Sequence, residues 1–313
     1  MELREVTPKI LISDPIFDEG VKLLEQKGYT VSKAWDLPKT QLPKIISEYD
    51  ALIVRSATKV DAELIAKAKK LKVIGRAGDG LDNVDMEQAK KQGITVVNTP
   101  HVASTSVAEL AIGYLISTAR NIVEGTISLR EGKWVKEESM GIEINGKTLG
   151  IIGCGSIGRE VKKLASGLGM NVLNVDVCVG EEFVPLDQML PKADFISIHV
   201  PLTPHTRHLL SEREFAKMKT GVIIINCSRG GIVDEEALYD ALVHGKVKAA
   251  ALDVFEQEPP KNNKLLTLQN VYATPHVGAQ TFEAQMRTSE QIAKKVIEAL
   301  EGELNNHGGR KTL

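Results

Sequence analysis

Apolar residues in this chain fall into short runs rich in β-branched side chains. Between the runs they recur at three- and four-residue intervals, the spacing that places them on one face of a helix. The runs at 10–12, 29–31, 51–54, 73–74 and 95–97 predict strands, and 18–26, 42–48, 61–68 and 86–91 predict the helices between them. A second series places strands over 147–152, 171–175, 195–200, 222–226, 249–252 and 271–273. Strict alternation of strand and helix makes a parallel sheet with helices on both faces. Asn98-Thr99-Pro100 interrupts the rhythm, since proline ends a ladder and bends the chain, and reads as the crossing point between two domains. A long helix over 282–300 is expected to return to the first series. The expected division is therefore 1–98 with 281–313 as one discontinuous domain and 99–280 as the other, an α/β chain of two doubly wound domains with one inserted into the other.

The stretch after Ser104-Thr105-Ser106 behaves differently. Ala108, Leu110, Ala111, Ile112, Gly113, Leu115 and Ile116 leave little polar face on a helix running to about Ile122. A helix apolar almost all round is buried, here expected at a domain or subunit interface, with a core helix as the competing reading. The interface reading makes a symmetric homodimer the expected assembly.

Length and charge narrow the classes. At 313 residues the chain exceeds the usual single domain. A net charge of -2 gives no electrostatic footprint for nucleic acid or an anionic membrane, so any basic site must be local. Cys154, Cys178 and Cys227 are odd in number and widely spaced, which argues against a disulfide framework or a metal knuckle and fits reduced cytoplasmic thiols. The opening Met1-Glu2-Leu3-Arg4-Glu5 lacks a leader profile, no apolar run reaches membrane-spanning length, and the polar tail from Asn305 is expected to be disordered.

The first chemical signal is GIIGCGSIGREVKKLASGLGMNVLNVD, residues 150–176. A strand leads into Gly153, Gly155 and Gly158 in G-x-G-x-x-G spacing, a helix follows through Ile157, Val161, Leu164 and Leu168, and a second strand ends on Asp176. Gly153 permits the sharp turn, Gly155 lets a pyrophosphate approach the backbone, and Gly158 lets helix and strand pack closely. The helix amides that begin at Ser156 and Ile157 would receive the phosphates. Asp176, 18 positions after Gly158, would accept from a ribose diol and repel a 2′-phosphate, so NAD is expected over NADP.

Charged residues collect just past other strands. Arg55-Ser56-Ala57-Thr58 and Arg76-Ala77-Gly78-Asp79-Gly80 follow two strands of the first domain and could cradle a carboxylate or phosphate. A pair of solvated loop arginines is the plain alternative, and Asp79 is awkward beside an anion. In the second domain Arg229, Glu258 and His276 each follow a strand. Singly, each is as readily a loop residue. Together after successive strands of a dinucleotide domain they supply what hydride transfer from a 2-hydroxy acid needs: a guanidinium for the carboxylate, an imidazole for the hydroxyl proton, and a carboxylate to orient the imidazole.

Over nearly its whole length the chain resembles the D-isomer-specific 2-hydroxyacid dehydrogenases, through GCGSIG, HVPLTPHTRHL, NCSRGGIVDEEAL, ALDVFEQEPP and TPHVGAQT. The resemblance implies a Rossmann NAD-binding domain inserted into a flavodoxin-like substrate-binding domain, and Arg229, Glu258 and His276 as the catalytic set. It also carries cofactor contacts onto Gly155 to Ile157, Asp176, Thr206, Cys227, Ser228, Asp253 and Gly278. VRSATKV, GRAGDGLDNVD, VVNTP and GIEINGKTLGIIG most resemble the members that oxidise 3-phospho-D-glycerate, the first step of the phosphorylated route to serine. That implies a phosphorylated 2-hydroxy acid as substrate, no metal, Arg76 to Gly80 with Arg229 on its carboxylate, and Arg55 and Ser56 on its phosphate side. Asp79 departs from the uncharged residue expected there. A reductase of glyoxylate or hydroxypyruvate, and an NAD-sensing interaction protein of the same fold, are the competing functions. Closure on substrate, with hinges near Asn98–Thr99 and Gly278–Thr281, and freedom from serine feedback through a C-terminal regulatory domain complete the expectations.

Overall fold

Parallel strands need long crossovers, and the alternation seen in the sequence supplies a helix for most of them. In the computed structural model the chain divides into two compact units, Met1–Ala103 with Gln280–Leu313, and Ser104–Ala279. The structure describes residues 7–176 and 183–308, with 303–308 by backbone alone; Met1 to Glu5, Cys178 and Lys311 to Leu313 lie outside the described residues.

In the first unit β1 (Lys9–Ile12), β2 (Thr30–Lys33), β3 (Ala51–Val54), β4 (Val73–Arg76) and β5 (Thr95–Asn98) alternate with α1 (Asp18–Gln26), α2 (Leu42–Ile45), α3 (Ala62–Lys67) and α4 (Met86–Lys91). The sheet is parallel in the order β2-β1-β3-β4-β5, the flavodoxin order, which reverses direction between β1 and β3. The stretch expected as one helix over 42–48 is α2 followed by a 3-10 turn at Ile46–Glu48.

A helix from far along the chain covers this sheet's second face. It is the last helix, α11 (Phe282–Gly308), counted after six described below. Its Ile292, Ala293, Val296 and Leu300 join Ile10, Ile12, Ile53 and Val73 in one buried cluster. Gly75 in β4 lets the helix approach, since a Cβ there would lie 2.6 Å from Val296 Cγ2. α11 continues through Asn305, where the sequence placed the start of a disordered tail. Thr99 N donates to Gly78 O at 3.0 Å and Arg287 Nη2 to Val102 O at 3.3 Å. These bonds tie 99–102 to the first unit, so the division falls after Ala103 and not after Asn98.

The second unit opens with α5 (Ser104–Arg120) and α6 (Ile122–Arg130). Its sheet follows through β6 (Thr148–Ile152), β7 (Asn171–Val175), β8 (Phe195–Ile198), β9 (Val222–Asn226), β10 (Val247–Leu252) and β11 (Val271–Ala273), with α7 (Ser156–Gly167), α8 (Leu186–Met189), α9 (Glu212–Lys217) and α10 (Glu235–Val243) between strands. The order is β11-β10-β9-β8-β6-β7, all parallel. Phe183 adds a single parallel bridge to Asn174 outside β7. Counted as a vestigial third strand, that bridge gives the order 3-2-1-4-5-6-7, the dinucleotide-binding order 3-2-1-4-5-6 with β11 added at the edge, and the reversal lies between β6 and β8.

The apolar helix after Thr105 turns out to be core. α5 packs on α7, β9 and β10 within its own unit, burying Ala108, Ala111, Ile112, Leu115 and Ala119. It does not run unbroken to Ile122, because Asn121 adopts a left-handed conformation (φ 51°) that turns the chain into α6. Exposed apolar residues follow there, Ile122, Val123, Ile127 and Leu129 on α6 and Trp134 and Met140 after it. Among the described residues no helix is long and apolar enough to cross a membrane.

Candidate active site

The loops past the reversal in the second sheet make its first feature. Gly153 ends β6 at φ 95°, and a Cβ on it would strike the His199 carbonyl at the end of β8. A Cβ on Gly158 would strike the Gly153 carbonyl, which is the close helix-strand approach the motif requires. At Gly155 the situation is the opposite: the residue is exposed and nothing lies within 4 Å of where its Cβ would stand. Gly155 is also the N-cap of α7, so the helix begins on a residue with no side chain to cap it. Asp176 reaches back from the end of β7, its Oδ2 accepting from Cys154 N at 2.5 Å. An open glycine at a helix start and a carboxylate fixed beside it fit a dinucleotide diphosphate and its ribose.

Arg229, Glu258 and His276 are carried by the segments after β9, β10 and β11. His276 Nδ1 lies 2.7 Å from Glu258 Oε2, and Glu258 Oε1 accepts from Phe255 N at 3.2 Å. Burial pushes the Glu258 carboxyl up, but the His276 hydrogen bond and charge, the Phe255 amide and the Arg229 charge outweigh it and hold the carboxyl below its usual range. An ionised carboxylate only accepts, so Nδ1 of His276 donates and leaves Nε2 as the atom that can take or give up a proton. Arg229 is fixed from both ends: its carbonyl accepts from Asn226 Nδ2 at 3.0 Å and its Nη1 donates to Ser228 O at 2.8 Å. Gly230 sits so close to the Phe255 carbonyl that a Cβ would overlap it, which locks the arginine loop against the loop leading to Glu258.

Several residues expected at the cofactor are engaged in building these loops. Asp253 is 1% exposed, and its carboxylate accepts from Thr274 Oγ1 (2.5 Å), Val277 N (2.7 Å) and Gly278 N (2.8 Å), so it shapes the turn that presents His276. Tyr114 of α5 extends this set through a bond to Thr274 Oγ1. Thr206 Oγ1 donates to Pro201 O at 2.6 Å and accepts from Thr203 N at 2.7 Å, closing the loop after β8. Ser228 Oγ donates to Asn226 Oδ1 at 2.8 Å. Cys227 is buried, and burial followed by the Asp253 charge pushes its thiol far up, so it carries no thiolate.

In the first unit the two candidate substrate loops are joined by one residue. Asn83 Nδ2 donates to Arg55 O (2.7 Å) and Thr58 O (2.6 Å), and its Oδ1 lies 3.5 Å from Arg76 Nε. Arg76 lies over Gly78 so closely that a Cβ there would overlap its guanidinium. Asp79 is exposed and its carbonyl accepts from Asn98 Nδ2 at 2.6 Å, while Ser56 is exposed and Gly80 partly so. Beneath the Arg55 loop lies Asp14, 1% exposed, accepting from Arg55 N at 2.7 Å and Thr58 N at 3.0 Å.

Residues 112–278 match the family model described as D-isomer specific 2-hydroxyacid dehydrogenase, NAD binding domain. This chain belongs to that family. Hydroxypyruvate reductase of Thermotoga maritima is 50% identical over 300 residues, covering 93% of this chain and 98% of that protein. D-3-phosphoglycerate dehydrogenase of Methanocaldococcus jannaschii is 49% identical over 305 residues, covering 95% of this chain; the chain spans 58% of that relative's length. A solved glyoxylate reductase from Paecilomyes thermophila superposes with a TM-score of 0.86 at 30% identity, covering 95% of this chain and 96% of that one. As in the family, the dinucleotide domain here is one for NAD.

Sequence reading missed Asp14, Asn83, Thr274 and Tyr114. Their roles rest on partners distant in the chain, and the one local signal was a polar residue at a strand end. His199 was quoted only inside a motif; burial pulls its ring down to about 4, its Nε2 lies 2.8 Å from Ser197 Oγ and its Nδ1 is buried without a partner.

Two outcomes follow from these anchors. Asp176→Ala is expected to raise kcat/KM with NADP relative to NAD, by removing the repulsion and the ribose contact; an unchanged ratio of the two would place ribose recognition elsewhere. For Asp14, burial raises the carboxyl, but the Lys39 and Thr58 hydrogen bonds, the Arg55 amide and the Lys39 charge bring it below 3.8. A depressed folded value contributes stability that is present above the unfolded value and lost as pH falls through the folded one. Asp14→Asn should therefore lower the melting temperature at neutral pH, with the gap to wild type closing below about pH 3.8. A gap independent of pH would remove the charge from the explanation.

Proposed function

We propose that this chain oxidises 3-phospho-D-glycerate to 3-phosphohydroxypyruvate, reversibly, with NAD. The observation that carries the reading is the 2.7 Å bond between His276 and Glu258, on a carboxylate that also feels the Arg229 charge. Arg229 binds the substrate carboxylate in fork geometry and polarises the C2 oxygen. His276 Nε2 takes the C2 hydroxyl proton, and Glu258 holds Nδ1–H and stabilises the imidazolium that forms. When bound, NAD accepts the C2 hydrogen as hydride. In reduction His276 returns the proton to the oxygen. Arg76 to Gly80 adds to carboxylate recognition, and Arg55 meets the phosphate.

The second reading, reduction of hydroxypyruvate or glyoxylate, is favoured by the full-length similarity to the Thermotoga protein named for hydroxypyruvate. Phosphate recognition separates the two. Following NADH oxidation, Arg55→Ala should raise the KM for 3-phosphohydroxypyruvate far more than that for hydroxypyruvate. Equal losses on both substrates would favour the second reading. A purified protein that binds NAD and turns over no 2-keto acid would replace both with an NAD-sensing interaction protein.

The assembly is a homodimer through α6, whose Ile122, Val123, Ile127 and Leu129 are exposed apolar residues. Sedimentation at a monomer's mass would refute it.

A further inference from the structure

The first sheet has a reversal point of its own, between β1 and β3, and ligands of doubly wound sheets bind in the crevice outside such points. Two segments leave the sheet there, Ser13 to Pro15 after β1 and Arg55 to Thr58 after β3. A third residue reaches them from the 3-10 turn Lys39–Gln41. Lys39 Nζ donates to Asp14 Oδ1 at 2.7 Å and to the Ser13 carbonyl. Arg55 Nη1 lies 3.4 Å from Pro15 O, so both cations converge on the same three-residue turn.

We propose that Lys39 is a second phosphate-binding cation beside Arg55, and that Asp14 is the positioning residue that fixes both at the end of the first sheet. The proposal rests on the reading of a phosphorylated substrate given above.

The hydrogen-bond inventory supports it. Asp14 already receives the Arg55 and Thr58 amides on Oδ2 and the Thr58 hydroxyl on Oδ1 at 2.7 Å. Those three donors satisfy a buried carboxylate without the lysine. Lys39 in turn has three N–H groups, of which two are used, and its side chain is 36% exposed. Two cations and one anion leave one net positive charge beside the exposed Ser56 and Ala57. A phosphate ester needs charge-assisted donors of this kind. The rigid seat matters as much as the charge, because a long side chain held in place loses less entropy when it binds.

The test compares 3-phosphohydroxypyruvate with hydroxypyruvate in wild type, Lys39→Gln, Lys39→Arg and Asp14→Asn. Lys39→Gln should shift the ratio of the two KM values about tenfold against the phosphorylated substrate, as expected for one lost hydrogen bond between charged groups. Lys39→Arg should restore most of the ratio. Asp14→Asn should move the ratio in the same direction as Lys39→Gln. If Asp14→Asn does not fold, the lysine variants decide. A ratio that stays at the wild-type value in Lys39→Gln overturns the assignment of Lys39 alone. Proportional losses on both substrates in Asp14→Asn overturn its positioning role. Wild type with no preference for the phosphorylated substrate would remove the proposed function and this inference together.

Discussion

Replacing His276 by asparagine lowers kcat/KM by roughly 10²- to 10⁴-fold, the range that one positioned general acid-base contributes. Asparagine is the informative replacement because His276 sits at φ 53°, a left-handed backbone that asparagine tolerates and alanine resists. The turn itself is held independently of the ring: His276 N donates to Asp253 O at 2.8 Å, and the Val277 and Gly278 amides bind the Asp253 carboxylate. Loss of activity with unchanged NAD affinity and melting temperature therefore reports the missing proton carrier. Turnover near the wild-type rate would end the assignment.

Arg229→Ala costs roughly 10²- to 10³-fold in kcat, the scale for removing one preorganised donor at a developing charge, and it also raises the keto-acid KM. On the proposed mechanism the guanidinium serves twice, binding the carboxylate in the ground state and polarising the C2 oxygen at the transition state, so both constants move. Arg229→Lys should recover little. A lysine offers a point charge in place of the planar fork, and it cannot both reach Ser228 O, as Nη1 now does at 2.8 Å, and present two parallel donors. Full recovery by lysine would mean that charge alone suffices. Either result is read from steady-state rates against keto acid and NADH.

The strand rhythm was legible because fully buried parallel strands must be nearly continuous apolar runs: Ala51–Val54 and Val222–Asn226 are buried throughout. The dinucleotide loop was legible because three glycines have local tasks, a positive φ at Gly153, open space at Gly155 and a backbone contact at Gly158. The candidate catalytic residues were picked out by their place after successive strands. What escaped reading depends on distance in the chain. Asp14 finds its partners 41 and 44 positions away, and nothing near it in sequence distinguishes it from a solvated strand end. Asp253 was read as touching the cofactor; that its carboxylate also accepts from three donors of 274–278 was not legible. The apolar stretch after Thr105 gave burial and left interface and core as alternatives. Composition registers that a helix is covered, while only the contacts show that α7, β9 and β10 do the covering.

The contact of α11 with β4 bears on how the protein is made. Strands β1 to β5 leave the ribosome first, but part of the cover for Ile10, Ile12, Ile53 and Val73 comes from Ile292, Val296 and Leu300. Vectorial synthesis ordinarily lets the earliest segment fold first. Here the earliest sheet waits with one face covered only in part, by Val21 and Leu24 of α1, until α11 emerges after the intervening unit. Stalled chains ending before Phe282 should accordingly be cut by protease in the first hundred or so residues and spared after Ser104.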